Sequence, residues 1–329
     1  MTWLVTGGAG YIGAHVVRAL QQDGAGVVVL DDLSTGDAAR VGDAPLVRAS
    51  LLDRDAIDRT IAEHDVTGVV HIAAKKQVGE SVEDPFYYYR QNVLGQLVLM
   101  EAMRDARVQR FVFSSSAATY GAPETALVEE KTHLVPESPY GETKVVGEWL
   151  ARDAGAAYGV RSVCLRYFNV AGAATPELGD PEALNLIPMV FERLTKGERP
   201  RIFGDDYPTP DGTCVRDYIH VADIATAHVA AARHLEQDGD SLVLNIGRGE
   251  GSSVREVIEV IGEVTGLDVT PDVVPRRPGD PPMTVASADA IRHQLGWEAQ
   301  HDLREMVESA WAGWTLRHPE VKDLPRRQP

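Results

Sequence analysis

The first half of the chain alternates short apolar runs with segments of helical periodicity. Between the first two runs, Ile12, Val16 and Leu20 recur at the spacing of one helix face. Six runs have the length and composition of strands: Trp3–Thr6, Val27–Leu30, Leu46–Ala49, Gly68–Ile72, Arg110–Ser114 and Ser162–Tyr167. This regular alternation predicts an α/β fold with a doubly wound parallel sheet.

Three further helices are predicted in this half from apolar residues at helical spacing. Asp84-Pro85 supplies a start signal ahead of the second of them. The stripes are Ala56, Ile57 and Ile61; Val93, Leu97, Met100 and Met103; and Val145, Val146, Trp149 and Leu150.

After about Tyr167 the loops lengthen and proline and glycine become more frequent. Helical patterns continue at Pro188–Thr195, Ala222–Leu235, Val254–Val264 and Leu303–Leu316, with one more strand at Leu242–Ile246. We therefore predict a regular domain over residues 1–168, to which 222–247 return, and a smaller, less regular α/β lobe over 169–329. The tail, 325–329, is expected to fray.

Composition narrows the classes of partner. The 329 residues carry a formal net charge of −17, which repels phosphate backbones, so no nucleic-acid partner is expected. The two cysteines, Cys164 and Cys214, form no metal-binding or disulfide pattern, so no metal is expected. The start has no signal-peptide pattern and no apolar run approaches 18 residues, so we expect no membrane contact and a cytoplasmic location.

A glycine-rich turn follows the first predicted strand and opens the first helix. Gly7, Gly10 and Gly13 are spaced three apart. Gly7 permits a tight turn, Gly10 lets a pyrophosphate approach the backbone and the helix dipole, and Gly13 allows close packing of helix on strand. Such a turn can also be purely structural.

An acidic pair after the second strand indicates which ligand the glycine turn would bind. Asp31 lies at the end of the second strand, 18 residues after Gly13, where a carboxylate binds an adenosine ribose. Asp32 follows it, and two carboxylates repel a 2′-phosphate. The sequence therefore predicts a Rossmann site for NAD rather than NADP.

Tyr140 and Lys144 lie one helical turn apart, 24 residues after Ser116 at the end of the fifth strand. An ammonium group and a positive nicotinamide ring would both favour the tyrosinate. Lowering the tyrosine pKa of about 10 by about three units needs roughly 4 kcal/mol. The three residues form a candidate proton-transfer set, although an ordinary amphipathic helix also shows this spacing.

These residues resemble the extended short-chain dehydrogenase/reductase superfamily, and further motifs narrow the resemblance to the UDP-glucose 4-epimerases. The motifs are TGGAGYIG (6–13), LDDLSTG (30–36), VGES (78–81), SSSAATYG (114–121), SPYGETK (138–144), LRYFN (165–169), FGDDYPTPDGT (203–213) and VRDYIHV (215–221). The resemblance implies that NAD oxidises C4 of a UDP-hexose, that the 4-keto sugar turns over, and that C4 is reduced on the other face. It also implies a homodimer formed by the helices near residues 93–105 and 144–158.

The resemblance further assigns site residues. Tyr140 would be the base and then the acid, Lys144 would hold the nicotinamide ribose, and Ser116 would bond the 4-hydroxyl. The NAD site would comprise Gly7, Gly10, Tyr11, Ile12, Gly13, Asp31, Asp32, Lys76, Asn92, Ser114, Tyr140, Lys144 and Tyr167. The UDP-sugar site would comprise Ser116, Asn169, Asn185, Leu186, Arg201, Phe203, Arg216, Arg277 and Asp280, with the two last arginines on the diphosphate.

From the residues alone, several of these assignments have simpler readings. Arg216 and Arg277 could form surface salt bridges with Asp217 or Asp280, Asn169 and Asn185 could be turn residues, and Lys76 a solvated charge. The chain also departs from the family pattern. Ser50 replaces the usual aspartate near the adenine, Glu142 and Thr143 replace Lys-Ser, and Thr284 leaves room for a C2 substituent.

Three other functions compete with this one, and the sequence disfavours the first, dehydration. A 4,6-dehydratase normally has an Asp-Glu pair where this chain has Ala117 and Ala118. A 4-epimerase of UDP-GlcNAc, UDP-xylose or UDP-glucuronate would show the same catalytic set. A non-catalytic NAD-sensing protein would have no need of Ser116, Tyr140 and Lys144 together.

Overall fold

A computed structural model describes residues 1–277 and 279–324 of the chain. Its strands are β1 Thr2–Thr6, β2 Gly26–Asp31, β3 Leu46–Arg48, β4 Gly68–His71, β5 Arg110–Ser116, β6 Leu127–Val128, β7 Arg161–Tyr167, β8 Asn169–Ala171, β9 Arg201–Phe203, β10 Val215–His220, β11 Leu242–Ile246, β12 Gly251–Ser253, β13 Asp272–Val274 and β14 Met283–Ala286.

The α-helices are α1 Tyr11–Gln22, α2 Arg54–Glu63, α3 Val78–Glu83, α4 Pro85–Tyr88, α5 Gly95–Asp105, α6 Pro139–Tyr158, α7 Leu186–Thr195, α8 Val221–Glu236, α9 Val254–Thr265, α10 Asp289–Leu295 and α11 Leu303–Arg317. A π-helical segment, Tyr89–Leu94, joins α4 to α5.

Seven strands form one parallel sheet in the order β3-β2-β1-β4-β5-β7-β11. The strand order reverses between β1 and β4, so their carboxyl ends open a crevice there, where doubly wound folds bind ligands. The predicted fold class is confirmed, and β11 is the late strand that lies at the sheet edge.

Both faces of this sheet are buried, which explains why its strands read as continuous apolar runs. Along β1, Trp3 and Val5 pack in a core with α1 and α8, whereas Leu4 packs with α2 and α5 on the other face. The alternation follows from the two-residue period of a strand. The first-half helices predicted from apolar stripes are all present.

A second, smaller layer is built from short strands that the sequence pattern did not reveal. Five of them form a sheet in the order β12-β10-β14-β6, with β8 also paired to β10. α7, α9 and α11 pack together around a separate core. The strand β6 comes from within residues 1–168 yet pairs with β14, so the first predicted domain contributes a strand to the smaller sheet.

Two residues used to predict helices face outward. Leu97 is 39% exposed and Trp149 is 49% exposed, although their helices α5 and α6 are otherwise well packed. The predicted fraying tail, 325–329, lies outside the described residues. Within the described ranges, no helix is long and apolar enough to span a bilayer. No group of three or more His, Cys, Asp or Glu side chains there could hold a metal ion.

Candidate active site

The turn between β1 and α1 requires its glycines. Gly7 has a φ of +74°, a left-handed conformation that favours glycine. A Cβ on Gly13 would lie 2.0 Å from the carbonyl oxygen of Gly7, so only glycine lets the helix pack this closely. An added Cβ on Gly10 would meet no atom nearer than 3.4 Å, which leaves open space over the turn.

The same turn suits an anion. Helix α1 begins after Gly10 without a side-chain cap, so no side chain competes for the N–H groups of its first turn. Asp31 accepts hydrogen bonds from the backbone N–H groups of Ala9 (2.9 Å) and Leu33 (2.8 Å). Burial raises the pKa of this carboxyl. Its remaining lone pairs can accept the hydroxyls of a ribose, so these residues fit a dinucleotide.

A long cavity runs from this turn to Tyr140. Eleven of the thirteen predicted cofactor residues line it: Gly7, Gly10, Tyr11, Ile12, Gly13, Asp31, Asp32, Lys76, Tyr140, Lys144 and Tyr167. The hydroxyl of Tyr11 turns away and donates to the Gly172 carbonyl oxygen at 2.5 Å. Asn92 and Ser114 do not line this cavity.

Asn92 and Ser114 instead hold the residues that line the cavity. The Asn92 amide accepts from the Lys75 N–H at 2.8 Å and donates to the Lys75 carbonyl at 3.0 Å, which fixes the loop after β4. The Ser114 hydroxyl lies 2.8 Å from the Nε2 atom of His228, and its carbonyl oxygen accepts from Lys144 Nζ at 2.7 Å.

Two lysines, Lys75 and Lys76, line this cavity. Lys76 Nζ lies 2.9 Å from the carboxylate of Glu182, and the Lys75 ammonium donates to the Ser34 hydroxyl at 2.8 Å. Lys76 is therefore paired rather than merely solvated. Sequence reasoning missed Lys75, Ser34 and Glu182, although Ser34 belongs to the quoted LDDLSTG motif.

Ser50, which stands where the resemblance leads one to expect an aspartate near the adenine, points away from the cavity. The Ser50 hydroxyl accepts from the Leu52 N–H at 3.2 Å and turns back on its own loop. Its neighbours Ala49 and Leu51 line the cavity instead. The wall beside Asp31 is therefore apolar at this point.

Tyr140, Lys144 and Ser116 come together at the carboxyl end of β5. The Lys144 ammonium nitrogen lies 5.9 Å from the centre of the Tyr140 ring, and the Ser116 hydroxyl is hydrogen-bonded to the phenol. Burial raises the pKa of Tyr140, and the bond from Ser116 opposes that rise. Burial lowers the pKa of Lys144 to about 7. In the protein alone, burial thus works against the expected tyrosinate.

A second cavity lies between α7, β8 and β10. It is lined by every predicted substrate residue except Ser116: Asn169, Asn185, Leu186, Arg201, Phe203, Arg216, Arg277 and Asp280. Tyr167 at the end of β7 lines the first cavity and Asn169 at the start of β8 lines the second, so residues two apart in the chain serve the two cavities.

Arginine dominates the charge of this second cavity. Arg193, Arg201, Arg216 and Arg277 face a single carboxylate among its lining residues, that of Asp280. The guanidinium of Arg277 stacks 3.8 Å from the centre of the Phe203 ring. Arg216 lies 3.5 Å from Asp280, so the salt bridge considered from the sequence does form. An excess of forked donors in an otherwise acidic protein suits a diphosphate.

Asn185 and Thr284, two positions singled out from the sequence, have their surroundings set by nearby elements of the fold. The Asn185 amide donates to Asp180 at 3.2 Å at the start of α7. Thr284 is paired with Arg216 in the register of β14 and β10, and its buried hydroxyl has no hydrogen-bond partner among the described residues. Thr284 lines neither cavity.

Comparison with known proteins agrees with this geometry. The sequence profile of the NAD dependent epimerase/dehydratase family matches residues 3–247. The UDP-glucose 4-epimerase of Azospirillum brasilense is 48% identical over 94% of this chain and 91% of that protein.

Solved structures place the likeness over the whole fold. The UDP-glucose 4-epimerase of Brucella ovis in complex with NAD superposes with a TM-score of 0.91 at 42% identity, covering 95% of this chain and 98% of that one. The enzyme from Stenotrophomonas maltophila, with bound NAD and formylated UDP-arabinopyranose, gives a TM-score of 0.93 at 42% identity, over 97% and 99% of the two chains. The chain therefore belongs to the NAD-dependent epimerase/dehydratase family, in which these relatives are UDP-glucose 4-epimerases, as its motifs predicted.

Proposed function

We propose that this protein interconverts UDP-glucose and UDP-galactose by inverting C4 of the hexose. One observation carries the proposal. Tyr140 and Lys144 line the same cavity as the glycine turn and Asp31, and Asn169, two residues after the lining residue Tyr167, lines a second cavity that is rich in arginine. NAD, when bound, supplies the oxidation and the re-reduction at C4.

The side chains around Tyr140 move and hold the proton. The phenolate oxygen of Tyr140 takes the proton of the 4-hydroxyl and later returns it to the same oxygen. Ser116 bonds both the phenol and the sugar oxygen, and Lys144 stabilises the phenolate. Since burial alone raises the pKa of Tyr140, the tyrosinate depends on positive charge beside it.

The second cavity holds the nucleotide while the sugar stays free to turn. Arg216 and Arg277 bind the diphosphate, with Arg277 already oriented by Phe203. Asp280 is placed to accept a ribose hydroxyl once Arg216 turns to the phosphates. Anchoring at the diphosphate lets the 4-keto hexose present its other face to the dinucleotide.

The dehydratase alternative lacks its acid/base pair, since Ala117 and Ala118 occupy those positions in a short turn after Ser116. Epimerases of other UDP-sugars keep the same set of residues. We keep UDP-N-acetylhexosamines as candidate substrates because these catalytic residues do not distinguish them; Thr284, whose small side chain suggested them, lines neither cavity.

The test is epimerisation of UDP-galactose by the purified protein, with UDP-GlcNAc and UDP-xylose measured in parallel. Turnover of UDP-galactose supports the proposal. If no UDP-sugar is turned over, the proposal is wrong and the protein has another NAD-dependent function. Turnover of UDP-glucose with none of UDP-GlcNAc would remove the wider specificity.

We also propose a homodimer formed by α5 and α6 of each copy. Leu97 on α5 and Trp149 on α6 are 39% and 49% exposed, and Leu94, the residue before α5, is 43% exposed, so large apolar side chains face outward from these helices. Grouped exposed apolar residues of this size are typical of interfaces. A second copy of the same face covers them in a two-fold arrangement.

We further propose that residues 1–168 with 222–247 bind NAD, and that 169–329 bind the UDP-sugar. Among the described residues, the first cavity is lined mainly by residues of 1–168, and the second is lined by residues of 169–329. The cytoplasm remains our proposed location, because Cys164 and Cys214 are both free thiols, as a reducing compartment keeps them.

A further inference from the structure

A buried ion pair lies next to the candidate active site but lines neither cavity. Glu148 follows Lys144 by four residues on α6, so both side chains lie on the same face of the helix. Its partner Arg166 lies on β7. The two side chains are 6% and 5% exposed.

The carboxylate of Glu148 ties three elements together. It accepts from Arg166 through both Nη2 (2.5 Å) and Nε (2.8 Å), a two-pronged contact with β7. It also accepts from the Ser115 hydroxyl at 2.5 Å on β5. Ser115 directly precedes Ser116, so one carboxylate fixes the helix of Tyr140 and Lys144 against the strand of Ser116.

The guanidinium of Arg166 is fully occupied on its other side. Its Nη1 atom donates to the Tyr120 hydroxyl at 2.8 Å and to the Glu130 carbonyl at 3.1 Å. Tyr120 in turn donates to Asn245 at 2.7 Å. A buried polar network satisfied in this way is rigid, so Glu148 has a fixed place.

Glu148 is the charge that opposes the cost of burying Lys144. The titratable groups around the two residues are Tyr140 on α6, His71 on β4, Tyr120 in the turn after β5, and Cys164, Arg166 and Tyr167 on β7. Burial raises the pKa of Tyr120 to about 12, so it stays neutral. Burial keeps His71 neutral by lowering its pKa to about 3, and it raises the pKa values of Cys164 and Tyr167, which also stay neutral. Burial lowers the pKa of Lys144 to about 7, and Glu148 acts in the opposite direction.

We propose that Glu148 is a positioning residue of the active site, which favours the ammonium form of Lys144 and sets α6 against the serine end of β5. The inference rests on the proposed function, because it assigns Lys144 the task of stabilising the Tyr140 phenolate. Without the carboxylate, Lys144 loses its proton at a lower pH, so the phenolate loses part of the neighbouring positive charge.

The test measures the ionisation of Tyr140 directly, in protein saturated with NAD. The phenolate is followed by ultraviolet difference absorbance during a pH titration, with Tyr140→Phe as the background. Glu148→Gln keeps the size and removes the charge, so we expect the Tyr140 midpoint to rise by about one pH unit. The rising limb of kcat against pH should move by the same amount, with KM for the UDP-sugar unchanged.

Two further variants separate this role from a structural one. Glu148→Asp keeps the charge, so its phenolate midpoint should match the wild type even where kcat falls. Glu148→Gln with Arg166→Gln avoids an unpaired buried guanidinium and should still show the raised midpoint. An unchanged midpoint in either glutamine variant, whatever the loss of stability or turnover, overturns the inference.

The two proposals fail in different ways. If the wild type turned over no UDP-sugar but Glu148→Gln still raised the Tyr140 midpoint, the proposed function would fall and the role of Glu148 would stand. If the wild type epimerises UDP-galactose and Glu148→Gln leaves the Tyr140 midpoint unmoved, the proposed function stands and the role of Glu148 falls.

Discussion

The ammonium nitrogen of Lys144 lies 5.9 Å from the centre of the Tyr140 ring, one helical turn away and buried with it. Replacing Tyr140 by phenylalanine removes the proposed acid/base group and changes no lining residue of the arginine-rich cavity. We expect kcat to fall by about 10²- to 10⁴-fold, with UDP affinity unchanged. Steady-state kinetics and UDP titration check both parts. Tyr158→Phe, an exposed change on the same helix, is the control. Wild-type turnover in Tyr140→Phe contradicts the assignment.

Lys144 should lower the stability of the protein that it serves. A fall in its pKa from 10.5 to about 7 corresponds to about 5 kcal/mol against folding. Substituting Lys144 removes this penalty but also removes its hydrogen bond to the Ser114 carbonyl oxygen, which stabilises the fold by about 1.5–3 kcal/mol. We therefore expect Lys144→Met to stabilise the NAD-free protein by about 2 kcal/mol at pH 7 while abolishing activity.

The sign of this effect fixes its pH dependence. Below pH 7 both states carry the protonated amine, so the penalty is complete; it fades as pH rises from 7 towards 10.5. Denaturant unfolding of Lys144→Met and wild type should therefore differ most at or below pH 7 and converge above it. Lys131→Met, at an exposed side chain, should show no such trend. A difference that grows with pH would contradict the burial argument.

The glycine turn predicts a sharp contrast between two alanine substitutions. The Cβ of Gly13→Ala would lie 2.0 Å from the Gly7 carbonyl oxygen, so α1 must move off β1. We expect a loss of about 1–3 kcal/mol in stability and a large loss of NAD affinity. Gly79→Ala, where the Cβ would meet nothing within 4 Å, should leave both unchanged. Thermal unfolding and NAD titration distinguish them, and equal behaviour of the two variants argues against the packing explanation.

Two neighbouring arginines test the diphosphate site. Arg277 stacks on Phe203 and lines the second cavity, whereas Arg276 stacks on Tyr207 and bonds Asp206 outside it. Arg277→Ala should raise KM for the UDP-sugar and weaken UDP binding about 10- to 100-fold, with a smaller effect on kcat. Arg276→Ala should change neither by more than about twofold. Matching losses in both variants would indicate a general fold effect instead.

The outward face of α6 tests the proposed homodimer. Trp149→Glu replaces the most exposed of the three apolar side chains Leu94, Leu97 and Trp149 by a charge, so we expect the protein to become monomeric at micromolar concentration. Light scattering after gel filtration measures the mass. Leu316→Glu, on α11 and 55% exposed, is the matched control and should leave the mass unchanged. A wild type that runs as a monomer removes the proposal.

Local pattern was sufficient for the parallel sheet and the glycine turn. The strands of that sheet are buried on both faces, so their apolar runs are visible in the sequence, and β1, β2 and the glycine spacing place Asp31 beside Gly10. The short strands β8, β12 and β14 gave no such signal, because two- to four-residue pairings depend on neighbours far along the chain.

What the sequence by itself determined, then, is the glycine turn with Asp31 and the pairing of Tyr140 with Lys144, since these follow from spacing within one strand–turn–helix unit or one helix face. Only the tertiary structure decided which of them share a cavity, that Asn92 and Ser114 act from behind it, and that Glu148 meets Arg166 and Ser115. Those relations join residues from separate strands and helices. Burial, which shifts the pKa values of Tyr140 and Lys144, exists only once the chain has folded around them.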